Sequence, residues 1–254
     1  MKRSILLLVL SSITPLIAWA DEAPPPPPQN VWTGKGQAGY TSSSGNSEGK
    51  SANAAIDMAY LDSPWKHAFH LGGLYGQSAG LVSAERWDTS WQTNYDLTAD
   101  LYTFGLLTYR HDLFSGFDYQ ASASAGVGYK IIATETTKLD AQVGVGYQVL
   151  RPEDITKLNG VVVNRTLLPS QNGIAETAAV NYSQALTGTT TLTDKLAVTS
   201  SSADTLVTNT LAVAVKISTK MALSVGYTLQ DNTKPPAGLK RIDTLETLNL
   251  VYAF

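Results

Sequence analysis

Long stretches of this sequence alternate between apolar and polar residues with a period of two. In residues 118–130, every second residue from Tyr119 to Tyr129 is apolar, and the residues between them are polar or glycine. Residues 138–150 repeat the pattern from Leu139 to Val149. Such alternation predicts β-strands with one apolar and one polar face. Both stretches exceed the usual globular strand of about five or six residues and suit a tilted strand that crosses a membrane in about nine to eleven.

The same alternation recurs to the last residue and predicts about twelve strands. We place them at residues 31–41, 50–61, 65–76, 85–96, 101–112, 118–131, 138–150, 176–186, 190–199, 205–217, 221–230 and 243–254. An even count brings both ends of the barrel to one side, and the connections mostly alternate between short and long, as in outer-membrane barrels. The sequence therefore predicts an all-β fold: a single antiparallel up-and-down transmembrane β-barrel.

The composition agrees with strands in which apolar and polar residues alternate. It also excludes nucleic-acid binding, disulfides and most structural zinc sites. Charged residues make up 15% of the chain, against about 25% in a typical soluble domain. The formal net charge of −3 offers no basic surface for nucleic acid. The chain has no cysteine and only three histidines, so disulfides and most structural zinc sites are excluded.

The first thirty residues divide into two segments that precede the strands. Lys2 and Arg3, the apolar residues 5–17 and the small-x-small residues 18–20 have the pattern of a secretory signal peptide, which predicts residues 1–20 as the signal. Five consecutive prolines at 24–28 then force polyproline II. We expect residues 21–30 to be a stiff periplasmic spacer and residues 31–254 to form an outer-membrane barrel.

Prolines and aromatic residues test this placement of the strands. After the spacer, every proline falls in a predicted connection: Pro64, Pro152, Pro169, Pro235 and Pro236. This agrees with the exclusion of proline from fully paired strands.

Aromatic residues fall at two levels along the strands, as two membrane interfaces select. Those at the inferred periplasmic ends are Trp32, Tyr60, Trp65, Tyr95, Tyr102, Tyr129, Tyr252 and Phe254. Those toward the outer ends are Tyr75, Trp87, Tyr109, Tyr119, Tyr147 and Tyr227.

The last strand ends in an aromatic residue. Leu248, Leu250, Tyr252 and Phe254 share one face, and this pattern resembles the C-terminal signal by which the outer-membrane assembly machinery recognises its clients. We expect the assembly machinery and outer-membrane lipid as partners.

Three groups of residues could carry chemistry, and none predicts an enzyme. Residues 34–39 fit G-x-G-x-x-G, but no helix follows them, so glycine on a barrel wall explains them better. His67 and His70 are three apart on a strand, which sends them to opposite faces and prevents shared ligation of one metal. His111 lies beside Asp112 at an outer rim without a serine at the spacing of an outer-membrane phospholipase. We expect no cofactor and no metal.

Polar residues opposite the apolar face are the better candidates for function. They are Asp57, Arg86, Asp88, Gln92, Asn94, Gln120, Lys130, Asp140, Gln142 and Gln148. They would line a narrow water path for small solutes or ions, or close the lumen by salt bridges and hydrogen bonds. A twelve-stranded barrel lies between filled eight-stranded barrels and open porins, and we expect a plugged or very narrow lumen.

Several motifs resemble a family of salt-induced outer-membrane proteins (YdiY-like, a domain of unknown function). They are Gly39-Tyr40, Ser44-Gly45-Asn46-Ser47, Glu85-Arg86-Trp87, Tyr95-Asp96-Leu97-Thr98, Leu101-Tyr102, residues 110–119, residues 125–129 and residues 144–147. The resemblance covers most of residues 32–150, and the remainder is similar only in strand pattern and terminal Phe254. It implies fold and location and supplies no catalytic residues.

Three functional hypotheses agree with the sequence. The first is an envelope barrel, acting as a narrow pore or under salt or osmotic stress. The second is an outer-membrane enzyme with a rim active site around His111, Asp112 and Glu85. The third is a soluble periplasmic binder similar to lipocalins, with its apolar face turned inward.

Overall fold

A computed structural model describes residues 30–43, 49–113, 115–158, 161–235 and 240–254. These residues form thirteen strands, twelve of which make a closed antiparallel barrel. The strands are β1 Val31–Ser43, β2 Gly49–Asp62, β3 Trp65–Ser78, β4 Leu81–Asp96, β5 Leu101–Asp112, β6 Phe117–Ala133, β7 Thr137–Leu158, β8 Val161–Leu167, β9 Gln171–Ala185, β10 Thr190–Ser201, β11 Thr205–Lys216, β12 Met221–Asn232 and β13 Ile242–Ala253. In the described part of the chain, no helix is long and apolar enough to cross a membrane.

Each barrel strand pairs with its neighbours along the chain, and the first strand pairs with the last. β1 is hydrogen-bonded to both β2 and β13, and β7 is hydrogen-bonded to β6 and β9. Closure leaves the barrel without a free edge, so backbone groups are satisfied within the sheet. The predicted all-β twelve-stranded barrel is confirmed. The predicted signal peptide and most of the spacer lie outside the described residues.

The long connection predicted after residue 150 contains strand instead of loop. β7 continues to Leu158, and its end pairs with the short β8 in a hairpin that extends beyond the barrel wall. Pro152 therefore lies within β7, and its placement in a connection was wrong. It is tolerated because it lies where the barrel pairing gives way to the hairpin, and only its carbonyl is used, accepting from the Leu168 N–H.

Apolar side chains face outward around the barrel, as the alternation predicts. Val143 and Val145 are 59% and 63% exposed, whereas Gln142 and Gln148 on the same strand are each 8% exposed. A soluble protein rarely exposes a continuous apolar belt, but a strand in lipid requires one. This arrangement is the reverse of a lipocalin-like barrel, whose apolar face would point inward.

Outward aromatic rings contact each other at both ends of the strands. The Trp65 ring, at the start of β3, lies 4.8 Å from the Tyr95 ring, at the end of β4. The Trp87 ring lies 4.9 Å from the Tyr109 ring toward the opposite end of the barrel. Tyr102 departs from the predicted two levels, since its side chain is 3% exposed and lies inside the barrel. On β5 the even-numbered side chains, including Tyr102, point into the barrel, and odd-numbered ones such as Leu107 and Tyr109 point outward.

The inner face where β6 pairs with β7 carries Gly126, Gly144 and Gly146, which we name the glycine corner. A Cβ on Gly126 would lie 2.1 Å from the Val143 carbonyl oxygen, and one on Gly146 would lie 2.1 Å from the Ala123 oxygen. Adjacent strand backbones therefore approach too closely on the inner side for any side chain. Glycine is the residue that lets a sheet curve in this way.

Inward aromatic rings of β5 cover this corner. The Phe104 ring lies against Gly144, and the Tyr102 ring lies against Gly128, where added Cβ atoms would clash at 2.9 and 2.2 Å. Phe104 is 4% exposed, so this part of the inner wall is packed.

The seam between β1 and β13 is closed by the last residue of the chain. The Gly34 N–H donates to the Phe254 carbonyl at 2.9 Å, and the Phe254 N–H donates to the Gly34 carbonyl at 3.0 Å. The Phe254 ring lies across the face of Gly34, where a Cβ would approach it to 2.4 Å. Further along the seam, the Asn53 amide donates to Asn249 at 2.7 Å beneath Gly39.

Candidate functional site: the polar lumen

The strand alternation turns every predicted lumen residue to the inner face. Asp57 lies on β2, four of the residues lie on β4, and the others lie on β6 and β7. The set is Asp57, Arg86, Asp88, Gln92, Asn94, Gln120, Lys130, Asp140, Gln142 and Gln148. Most of them belong to an ionic cluster on β1–β5 or to a hydrogen-bonded network on β4–β9, and Lys130 forms a separate ion pair with Asp96.

The ionic cluster is centred on His70, which the sequence analysis did not select as a lumen residue. Its Nδ1 lies 2.7 Å from Asp57 Oδ1, and its Nε2 lies 3.2 Å from Asp88 Oδ2. Carboxylates only accept hydrogen bonds, so both contacts are satisfied when the ring is an imidazolium that donates from each nitrogen. The two nitrogens point in opposite directions, so the three side chains do not converge on one metal ion.

Basic side chains surround this cluster. Lys35 Nζ lies 3.5 Å from Asp57 Oδ2, and Arg86 Nε lies 3.7 Å from Asp88 Oδ1. Arg110 lies opposite Asp88 in the β4–β5 pairing. Alternating signs of charge therefore link the inner faces of five consecutive strands.

Replacing Asp57 by Asn should destabilise the barrel by about 1 kcal/mol, since one charge-assisted hydrogen bond to His70 is lost in a site that water still reaches. The measurement is the unfolding temperature of the detergent-solubilised protein. Asp154→Asn is the matched control, because that side chain is exposed on the β7–β8 hairpin. Equal unfolding temperatures for the two variants would contradict the role of the cluster.

The second group is a network of uncharged donors around Asp140. The Tyr102 hydroxyl lies 3.2 Å from Asp140 Oδ2, and the Asn181 amide donates to the same oxygen at 2.9 Å. The Gln92 amide donates to Gln142 Oε1 at 3.0 Å and joins β4 to β7. The Gln92–Gln142 bond passes over β5 and β6, so the network crosses one side of the lumen.

Water reaches many of the inward side chains. Lys35 is 49% exposed, and His70 and Asp57 are 33% and 32% exposed, although all three point into the barrel. A lumen filled by side chains would bury them. The lumen is therefore hollow beside the ionic cluster, whereas Phe104, Gln142, Gln148 and Leu150 are packed against other parts of the inner wall.

Three lysines point into this hollow space. They lie on β1, β3 and β10 as Lys35, Lys66 and Lys195. Lys195 lies within electrostatic range of both other lysines and of Asp57 and Asp140. None of the three was among the predicted lumen residues, although counting in steps of two along each strand places all of them inward.

The predicted rim residues His111 and Asp112 lie on opposite faces of the barrel wall. His111 lies on the outer face, its ring 6.4 Å from that of Trp87, and its Nδ1 contacts the Asp118 carbonyl oxygen. Asp112 is the next residue of the strand and turns inward, within electrostatic range of Arg110. A base and its carboxylate partner on opposite faces cannot act together.

A family match accounts for nearly the whole barrel. Residues 36–254 match the family model described as protein of unknown function, DUF481. The chain belongs to the DUF481 family. None of the curated proteins compared with this DUF481 chain matches it.

Solved structures similar to this DUF481 barrel are outer-membrane proteins. An outer membrane channel from Pseudomonas putida F1 is 12% identical, with 89% of this chain and 96% of that chain covered and a TM-score of 0.50. The KdgM porin is 7% identical, with 88% and 99% covered and a TM-score of 0.45. The NanC porin is 9% identical, with 88% and 98% covered and a TM-score of 0.46. The likeness shows the fold of outer-membrane barrels.

Proposed function

We propose that this protein is a narrow channel of the bacterial outer membrane that passes small polar solutes or ions. The observation that carries the proposal is an inner wall of charged side chains that water reaches, with Lys35 49% exposed inside a closed barrel. A barrel that served only as a structural anchor would gain stability from a packed interior, since packing stabilises and cavities cost free energy. The similar protein from Pseudomonas putida F1 is described as an outer membrane channel, and that description agrees with this proposal.

The outer surface of the barrel supports a proposal about its location. We propose that residues 1–20 direct export and that the outward apolar belt contacts outer-membrane lipid. An apolar groove of about 500 Å³, lined by residues that include Trp32, Met58, Phe69 and Trp91, supports this contact. A role in salt or osmotic stress is part of the proposal and rests on the resemblance of the sequence motifs alone.

The first test is the conductance of the purified, refolded protein in planar lipid bilayers. We expect small, discrete conductance steps, because the inner wall is partly packed. An electrically silent protein that shows folded, heat-modifiable migration on gels would overturn the channel.

A bulky residue on the inner wall should reduce the conductance. Ala179 faces inward on β9 beside Gln142, while Ala178 faces outward beside Val143. Ala179→Trp should lower the single-channel conductance by about half or more, because the indole adds about 200 Å² of surface to the lumen. Ala178→Trp, one residue away, should leave it unchanged because that side chain meets lipid. A reduction by both variants would indicate damage to the fold instead of obstruction.

A further inference from the structure

Two lysines face each other across the lumen without a carboxylate partner. Lys66 and Lys195 lie on the inner face of β3 and β10, and each is exposed to water. Among the described residues, no carboxylate oxygen lies within the 4.0 Å of a salt bridge from either ammonium group. In the described part of the chain, neither ammonium group therefore has a direct ion-pair partner.

The order of the strands sets these lysines on opposite walls. Along the ring of twelve, six steps separate β3 from β10, which is half of the circumference. The two charges nevertheless lie within electrostatic range of each other, and Lys35 adds a third positive charge from β1. The lumen is therefore narrow enough for charges on opposite walls to influence each other.

The carboxylates in the same space are engaged by other groups. Asp57 contacts His70 and Lys35, and Asp140 accepts hydrogen bonds from Tyr102 and Asn181. Lys130 differs from the facing lysines because it is paired with Asp96 at 2.9 Å. The unpaired charge at this level of the lumen is therefore positive.

We propose that Lys66 and Lys195, with Lys35, form an anion-selective constriction, so that the channel passes small anions in preference to cations. This inference rests on the proposed channel function. Facing charges of one sign in a narrow, low-dielectric passage concentrate ions of the opposite sign and repel their own. Screening by salt should weaken the preference as ionic strength rises.

The experiment is the reversal potential in a planar bilayer that separates two concentrations of KCl. The wild-type protein should favour chloride over potassium. The double variant Lys66→Gln/Lys195→Gln should lower the chloride-to-potassium permeability ratio by about fivefold, since lumen potentials of a few kT act on both ions in opposite directions. The matched control is Lys220→Gln/Lys240→Gln, which removes the same charge from two connections outside the strands and should preserve the ratio.

The outcomes separate this inference from the channel itself. A conducting wild type that favours potassium, or an unchanged ratio in the double variant, would overturn the anion-selective constriction and leave the channel in place. A silent wild type would overturn the channel and the constriction together. An equal change in the control pair would also overturn the constriction, because surface charge would then account for the selectivity.

Discussion

A valine in place of Gly126 should lower the unfolding temperature of this barrel and the fraction of molecules that close it. Its Cβ would lie 2.1 Å from the Val143 carbonyl oxygen and 2.5 Å from the Gly144 Cα. Both obstacles are backbone atoms of the paired strand, so no side-chain rotation relieves the clash. Overpacking of this kind costs about 3 kcal/mol or more, a large part of the stability of a typical domain.

The measurement is the fraction of protein in the membrane that migrates as a compact, heat-modifiable band. Gly105→Val is the matched control, since a Cβ on Gly105 has no heavy atom within 4 Å and valine is favoured in strands. The control should fold as well as the wild type. A Gly126→Val protein with unchanged migration and unfolding temperature would show that the glycine corner is dispensable.

Removal of Phe254 should leave at least about tenfold less folded barrel in the outer membrane. The deletion abolishes two backbone hydrogen bonds with Gly34, and unpaired backbone groups are costly where lipid replaces water. We also propose that it removes the last aromatic residue of an assembly signal formed by Leu248, Leu250, Tyr252 and Phe254. All four side chains are between 45% and 57% exposed on the outer face, where an assembly factor can contact them.

Two further variants distinguish the loss of the Gly34 backbone hydrogen bonds from the loss of the assembly signal. Phe254→Ala keeps the backbone bonds to Gly34, so the refolded protein should melt close to the wild type in detergent, yet accumulate poorly in cells. Phe254→Tyr keeps an aromatic ring at the end of the chain and should assemble normally. Normal cellular assembly of Phe254→Ala would rule out the ring as part of the signal.

The fold was predictable because one rule, alternation, applies to almost every strand. Membrane strands are long, and their outward residues must be apolar wherever they meet lipid. The rule failed beyond the barrel wall. Pro152 and β8 lie in a hairpin beyond the wall, held by contacts such as that of Arg165 with Glu153 and with the Leu113 carbonyl oxygen. Such contacts between distant residues leave no periodic pattern in the sequence.

The lumen was predictable only where polar residues formed clear runs. On β4, the inward positions from Arg86 to Asn94 are mostly charged or amide residues, and the sequence analysis selected them. On β3, Lys66 and His70 alternate with Ala68 and Gly72, so the inner face has no polar run. On β10, Asp194 and Lys195 are adjacent, so each face carries one charge. The alternation therefore does not show which of the two side chains points into the lumen.

The pairing of β1 with β13 also fixes the order of events in biogenesis. The partner that completes the edge of β1 is the last strand to be made, some two hundred residues downstream. An N-terminal fragment that lacks β13 therefore has no closed barrel to adopt while synthesis continues. If the chain is exported as proposed, factors that keep extended, alternately apolar segments soluble until β13 is available should set the yield of the folded barrel.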